Sequence, residues 1–422
     1  MSEVRFQAPR GVPDYVPPRS KDLLRVRDAI SYQAELAGYE YVELPVFEHV
    51  EVFTRGVGEQ SDLVTKEMYT FDDRGERELA LRPEGTASVC RAVVENSLAL
   101  GQLPVKLWYA GPFFRAERPQ QGRYRQLQQV GIEAIGVVDP LLDAEVIMIA
   151  NSAFETLGLN NYRLLINSLG GAQCRNEYRV ALQAFLLDVL PADMHARIIK
   201  NPLRLLDDKS SDVRSKLAKA PSISSFWTSS DREYFEKLRD TLIAAGLAPV
   251  FDERLVRGLD YYTGTVFEFD HAELGAQSGI GGGGRYDGLL GALGGPDLSG
   301  VGFGIGVDRT LLACEAEGVF STETSRVEVY AIPMVEAAQV ACLEIVTDLR
   351  AFGVSADMTF GERGLKGAMK AASKSGAQVA LIIGETELAQ SQVTVKDMNS
   401  GEQEVYPVDA IAGQLAVKFE KS

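Results

Sequence analysis

The run Gly279-Ile280-Gly281-Gly282-Gly283-Gly284-Arg285-Tyr286-Asp287-Gly288 decides which fold the chain can adopt. It satisfies G-x-G-x-x-G literally, and on that reading it would open a parallel, doubly wound domain. That motif needs a βαβ setting and an acidic residue roughly twenty positions on. Here Arg-Tyr-Asp-Gly follows at once, in surroundings that read as antiparallel. No Gly-Lys-Ser/Thr ending follows either, so the run is not a P-loop. Glycines within a strand more often mark the close approach of another backbone or of a ligand.

Outward from this run, β-like stretches are expected over 67–71, 78–81, 105–111 and 126–135, with a single helix, 86–98, among them. Further strands are expected over 163–168, 249–252, 265–269 and 300–306. A glycine-rich turn is expected within this series, between 265–269 and 300–306. Strands joined by turns with few crossover helices imply an antiparallel sheet. Near the start, Leu23, Val26, Ile30 and Ala34 recur on one face of a helix predicted over 20–37. Residues 41–44 then form a strand running into Pro45. Proline lacks an N–H, so this strand belongs at an edge or an end, a natural seat for a partner subunit.

The composition changes over 172–224, which is helix-like and charged with little strand signal. It reads as a helical insertion in the sheet domain. Beyond 324, strands and helices alternate, which predicts an α/β domain with a mostly parallel sheet. The expected division is 1–171 and 225–325 for the sheet domain, 172–224 for the insertion and 326–422 for the last domain. The class is α+β.

Net charge is −16, which excludes a general DNA coater, so any nucleic acid must meet local basic patches. Cys90, Cys174, Cys314 and Cys342 have no metal-like spacing, and three histidines are too few for a histidine-built zinc site. No run approaches the ~20 apolar residues of a membrane span. With scattered cysteines and no apolar signal core at the start, the expectation is a cytoplasmic protein without membrane contact.

Three further stretches carry chemistry. Phe114-Arg115-Ala116-Glu117-Arg118-Pro119-Gln120-Gln121-Gly122-Arg123-Tyr124-Arg125-Gln126 holds four arginines and one glutamate between two β-like runs. Arginine's planar fork binds phosphate oxygens in pairs, so a triphosphate or an RNA end suits this loop. A solvated basic loop is the alternative. In Arg257-Gly258-Leu259-Asp260-Tyr261-Tyr262-Thr263-Gly264, an arginine and paired tyrosines lead into a strand. If the pair is already extended, its side chains point to opposite faces and one dominates any pocket contact; a core strand with an entry turn is the alternative. In Gly302-Phe303-Gly304-Ile305-Gly306-Val307-Asp308-Arg309, alternate glycines leave one face bare for a flat ligand, and Arg309 opens a helix, aimed at an anion. A glycine-rich bend with a surface arginine is the alternative. In the last domain, Arg363, Lys366, Lys370 and Lys374 recur at helical spacing with no acid among them. One basic face of this kind suits an RNA backbone, or is simply solvated.

Together these stretches resemble the class II aminoacyl-tRNA synthetases, and most closely the histidyl-tRNA synthetase family, over nearly the whole chain. Leu44-Pro45 is similar to motif 1, the dimer-interface strand. Residues 114–129 resemble motif 2 and 302–309 resemble motif 3. Leu81-Arg82-Pro83-Glu84-Gly85-Thr86-Ala87 recurs in members of the subclass. Arg257–Tyr262 and Gly283–Gly288 resemble the two histidine-specific signatures.

The resemblance implies a homodimer that activates L-histidine with ATP and Mg²⁺, then charges tRNA(His). It implies that Arg115 grips the α-phosphate, with Glu117 also at ATP. Arg257 would bridge that phosphate and the substrate carboxylate, and Arg123 and Arg309 would hold the outer phosphates. Glu133 and Tyr262, with Tyr261 beside it, would read the imidazole. Glu84, Thr86 and Gln129 would hold the α-amino group. Gln120 would read the extra 5′ guanosine of the tRNA, the insertion would meet its acceptor end, and Arg363, Lys366, Lys370 and Lys374 would lie in an anticodon-binding domain. The metal ligands are left open. Leu127-Gln128 and Gly264 depart from the family's usual residues, at positions given no catalytic role. A histidine-binding regulatory paralogue, the regulatory subunit of ATP phosphoribosyltransferase, is the rival reading. Such paralogues tend to lose the catalytic arginines and the last domain, both present here. A synthetase-like module of a stress kinase is a second rival, opposed by the lack of a kinase segment.

Overall fold

Val130, Ile132 and Ala134 are buried on one side of their strand, while Gln129, Gly131 and Glu133 alternate toward the other. Successive side chains of a strand point to opposite faces, and this alternation organises the first of two compact units. The computed structural model describes residues 6–58, 61–208, 210–320, 326–361 and 364–419. The first unit runs to Phe320 and the second takes the described residues from Arg326.

The strands of the first unit, in chain order, are β1 (Glu40–Tyr41), β2 (Phe47–His49), β3 (Tyr69–Asp72), β4 (Glu78–Leu81), β5 (Val105–Phe114), β6 (Gln126–Ile135), β7 (Tyr162–Ser168), β8 (Val250–Phe251), β9 (Thr263–His271), β10 (Gly279–Tyr286) and β11 (Gly300–Gly306). Eight of them form one sheet in the order β1-β5-β6-β11-β10-β9-β7-β8. All its pairings are antiparallel except β1 with β5 and β7 with β8 at the two ends. β2, β4 and β3 make a small separate sheet.

The helices Arg19–Leu36, Pro140–Leu157, Ser229–Ala244 and Val307–Glu317 cover one face of the large sheet. Val26, Ile147, Leu238 and Leu311 pack there against Ile132, Phe267, Val301, Phe303 and Ile305. The opposite face carries the bare glycines of β11. It is walled by the helix Thr86–Glu95 and by the first helix of the 172–224 stretch, Ala172–Val189. Val89, Cys174, Tyr178 and Leu182 share one core with Tyr109, Val266 and Tyr286. The candidate site lies on this face.

Several elements differ from expectation. The glycine-rich 279–284 stretch is strand, not turn. Its glycines are required because both neighbouring backbones press on it: a Cβ on Gly283 would lie 1.9 Å from the Gly302 carbonyl oxygen, and one on Gly284 2.4 Å from that of Thr265. The edge strand closes after Tyr41, with Pro45 beyond it. Residues 67–71 divide into a π-helical turn, Leu63–Glu67, and β3. Ser61 starts that turn, its hydroxyl and carbonyl oxygens accepting from Val64 N–H and from the Thr65 hydroxyl.

The second unit contains β12 (Val329–Pro333), β13 (Ala356–Met358), β14 (Val379–Ile383), β15 (Gln392–Asp397) and β16 (Gln403–Pro407), ordered β13-β12-β14-β15-β16. The first three are parallel and β15 and β16 extend them antiparallel, so the sheet is less parallel than expected. The connections explain this. β12 to β13 and β13 to β14 cross over through the helices Ala338–Ala351 and Leu365–Ser375, whereas a short turn at Gly401, with φ +78°, joins β15 to β16. A turn that short can only make a hairpin.

Candidate active site

Glu133 sits in mid-β6, opposite Gly302 of β11, almost wholly buried. A Cβ on Gly302 would fall 2.0 Å from Glu133 Oε2, so the bare strand is what makes room for this carboxylate. The Thr86 hydroxyl donates to Oε1 at 2.7 Å, and the Tyr109 hydroxyl reaches the same oxygen at 3.3 Å. The Tyr286 hydroxyl donates to Oε2 at 2.7 Å. Burial pushes the Glu133 carboxyl up to about 8, opposed by the Thr86 and Tyr286 hydroxyls and reinforced by nearby Glu84. Burial also drives the Tyr109, Tyr261 and Tyr286 phenols well above their usual range, so each keeps its proton.

Glu84 precedes the helix Thr86–Glu95, and its carboxylate accepts from the backbone N–H of Thr86 at 2.8 Å and of Ala87 at 3.0 Å. A carboxylate at a helix start suits the exposed N–H groups and the dipole there. The Tyr261 hydroxyl donates to Glu84 at 3.3 Å, which ties this helix to the 257–262 loop. Burial raises the Glu84 carboxyl, against those two N–H groups and Arg115.

Tyr261 and Tyr262 differ from the strand reading. They lie in a turn ahead of β9, both buried, with ring centroids 4.7 Å apart, so neither faces away. Gly264 follows with φ +46°, a left-handed conformation that favours glycine. The Arg257 guanidinium lies 5.9 Å from the Tyr262 ring and pairs with Glu268 of β9 at 2.6 Å.

The arginines gather at the other end of the glycine strand. Arg309 is the third residue of the helix Val307–Glu317, donating to the carbonyl oxygens of Gly122 at 2.9 Å and Gly279 at 2.6 Å. Burial lowers its pKa, Arg123 and Arg115 lower it further by repulsion, and Glu268 and Glu117 act against them. Five charged groups therefore sit around one point. Arg115 donates to the Pro83 carbonyl oxygen at 2.9 Å, next to Glu84, and Arg123 is paired with Glu117. Asp308, buried, accepts the Gln128 N–H at 2.6 Å and the Tyr15 hydroxyl, fixing the motif 2 strand to this helix.

The fold thus brings Glu84, Thr86, Glu133, Tyr261 and Tyr262 into one pocket. Gln129 faces it, 3.7 Å from where a Gly304 Cβ would stand. Arg115, Glu117, Arg123, Arg257 and Arg309 form the adjoining cationic cluster. Gln120 is exposed on the loop, its backbone bonded to that of Arg123. Lys366, Lys370 and Lys374 are exposed on the helix Leu365–Ser375 of the second unit, and Arg363 lies outside the described residues. Sequence reasoning missed Glu268, Tyr109 and the role of Tyr286. Glu268 had one signal, a lone charge in Phe267-Glu268-Phe269; Tyr109 had none.

The sequence and fold have close counterparts. The family model described as histidyl-tRNA synthetase matches residues 11–173 and 195–310, and the one described as anticodon binding domain matches 328–418. The histidine–tRNA ligase of Corynebacterium efficiens is 56% identical over 98% of this chain and 97% of its own. That of Mycobacterium tuberculosis is 54% identical over 97% of each. The crystal structure of apo histidyl-tRNA synthetase from S. aureus superposes with a TM-score of 0.82 at 33% identity, covering 98% of this chain and all of that one. With a buried carboxylate pocket and a cluster of arginines meeting over a bare glycine strand, and with matches along nearly its full length, the chain belongs to the histidyl-tRNA synthetase family.

Proposed function

We propose that this chain is a histidine–tRNA ligase. A carboxylate oxygen of L-histidine attacks the α-phosphorus of ATP, the bond to the bridging oxygen breaks, and pyrophosphate leaves. A ribose hydroxyl at the 3′ end of tRNA(His) then attacks the acyl carbon and AMP leaves. The observation that carries the reading is the adjacency of two unlike environments. One is a buried pocket lined by Glu133, Glu84, Thr86 and the phenols of Tyr109, Tyr261, Tyr262 and Tyr286; the other is the cluster of Arg115, Arg123, Arg257 and Arg309. Charge builds on phosphate oxygens in the first step, and preorganised cations there lower the barrier.

Neutral imidazole offers one donor and one acceptor, and its cation two donors. Glu133 and the phenol of Tyr262 suit the ring, with the tilted Tyr261 ring beside it. Glu84, Thr86 and Gln129 suit the α-ammonium group. Arg257, whose guanidinium reaches toward both regions, suits the shared carboxylate–phosphate junction. Arg115 suits the α-phosphate, and Arg123 and Arg309 the outer phosphates, with Glu117 setting Arg123. Magnesium fits this site as an ion carried on the triphosphate, since such an ion keeps most of its waters and takes one or two carboxylates, and Glu117 and Glu268 are the carboxylates among the arginines. When bound, it neutralises phosphate charge. Pocket hydrogen bonds of this kind reject an analogue lacking the polar ring by ~10⁴ or more.

For tRNA, Gln120 suits the 5′ end, the 172–224 segment the acceptor stem, and Lys366, Lys370 and Lys374, with Arg363, the anticodon region. The domain division expected from sequence is retained in this reading, as are a homodimer through the β1 edge and a cytoplasmic setting. No described helix is long and apolar enough to cross a membrane. The regulatory-paralogue reading is not favoured, because Arg115, Arg257, Arg309 and the second unit are all present.

The test is amino-acid-dependent ATP–pyrophosphate exchange across the standard amino acids. Exchange with histidine alone is expected, reduced by about 10²–10³ in Arg257→Ala. Folded protein that binds histidine but supports no exchange with any amino acid would overturn the ligase reading.

A further inference from the structure

The loop 257–262 carries Arg257, Tyr261 and Tyr262 but has no helix or strand of its own. Its acceptors are held from outside, by donors of the 172–224 segment. Arg204, on the short 3-10 turn Pro202–Asp207, donates Nη2–H to the Gly258 carbonyl oxygen at 2.8 Å and lies 3.6 Å from the Asp260 carboxylate. Its Nη1 pairs at 2.9 Å with Asp62, beside the π-helical turn. Asn201 donates to Asp260 at 3.2 Å. Arg175, on the helix Ala172–Val189, donates to the Tyr262 carbonyl oxygen at 3.0 Å. Beneath these bonds, Leu205 and Leu206 belong to the same core cluster as Leu255, Tyr261 and Tyr262.

We propose that Arg204, Asn201 and Arg175 are positioning residues for histidine binding, and that through them the helical segment sets the geometry of the loop bearing Arg257 and the tyrosine pair. This rests on the proposed function, which puts that loop at the substrate. The physical reason is one of order. A loop without its own backbone ladder fluctuates unless its acceptors are engaged, and here, among the described residues, the engaging donors Arg204, Asn201 and Arg175 come from one segment. None of the three donors sits in the pocket. A ligand that shifts the segment, such as the acceptor end of the tRNA, therefore reaches the amino-acid pocket through backbone carbonyls. Its influence falls on histidine more than on ATP, because only Arg257 of the proposed phosphate contacts lies on the loop, while Arg115, Arg123 and Arg309 are anchored instead to Pro83, Glu117, Gly122 and Gly279.

The test uses the full-length protein with Arg204→Ala, Arg204→Lys and Asn201→Ala. Hydrogen–deuterium exchange of the backbone amides of 257–262 should quicken about tenfold or more in Arg204→Ala, the effect of one lost charge-assisted hydrogen bond. In pyrophosphate exchange, the KM for histidine should rise by a similar factor and the KM for ATP by clearly less, since Arg257 alone of the phosphate contacts lies on the loop. Arg204→Lys should recover part of the loss, since one ammonium can serve Gly258 but cannot span Asp62 and Asp260 together. A fall in kcat with both KM values unchanged would mark a smaller folded fraction and overturn the proposal, as would unchanged amide exchange in the loop. If Arg204→Ala does not fold, Asn201→Ala gives the same two readouts with one bond removed. A wild-type protein inactive with every amino acid would sink the ligase reading, while loop amide exchange would still decide whether the segment holds the loop.

Discussion

Glu133 gives the sharpest prediction. Replacing it with glutamine keeps its shape but removes the titrating proton. In the folded protein this carboxyl is raised to about 8 from an ordinary 4.5. Between those values the native state holds a proton that the unfolded chain has released. Stability therefore falls as pH rises through this window, and is independent of this group below it. One proton is worth about 1.36 kcal/mol per pH unit, so the full window amounts to about 5 kcal/mol and two units inside it to about 2.7 kcal/mol. The assay is urea unfolding of wild type and Glu133→Gln at about pH 5.5 and 7.5, since a difference between the two proteins cancels most other titrating groups. Both tryptophans, Trp108 and Trp227, lie in the first unit, so their fluorescence reports the unit that holds the site. Wild type should lose roughly 2–3 kcal/mol relative to the variant across that interval. A constant difference would mean that the Thr86, Tyr109 and Tyr286 hydroxyls outweigh burial and keep Glu133 ionised. A difference of opposite slope would refute the reasoning outright.

Two further outcomes are expected. Gly302→Ala forces a methyl against Glu133 Oε2 and the Ile132 carbonyl oxygen, 2.0 and 2.3 Å away. Overpacking of this kind costs about 1–3 kcal/mol, so the urea midpoint should fall and histidine-dependent exchange should be lost; a variant with normal stability and KM would contradict the geometry. Replacing Lys366, Lys370 and Lys374 together with alanine should weaken tRNA binding and flatten its salt dependence by a slope of about two to three. Unchanged affinity and slope in filter binding would reduce that face to solvated lysines.

Period-two patterns carried most of the fold into view. The alternation along 129–134 and the alternate glycines of 300–306 each specify a face, and a face is what a sheet buries. What stayed hidden depends on partners distant in sequence. Arg82 stands within the quoted Leu81–Ala87 run, yet its burial and its bonds to the carbonyl oxygens of Leu44 at 2.7 Å and Pro112 at 2.8 Å require three chain segments to meet. Glu268 is a similar case, because one charge in an apolar strand reads equally well as solvent-facing until Arg257 is brought across to it. The tyrosine pair failed as a strand for a local reason. The β9 ladder starts only at Thr263, and the chain is still in a turn at Asp260 and Tyr261.

The position of β11 has a consequence for how the enzyme is made. It is the last strand of the first unit to leave the ribosome, yet it lies in the middle of the sheet, between β6 and β10. Until it inserts, β1, β5 and β6 on one side and β7 to β10 on the other have no shared hydrogen bonds across that gap. Closure must then join segments far apart in the chain, which is the slow kind of β pairing. A nascent chain halted before Gly300 would expose two unpaired strand edges, the kind of surface on which aggregation starts. Catalytic competence would then arrive in a single late event, when a strand almost without side chains on one face slides over Glu133 and completes the pocket.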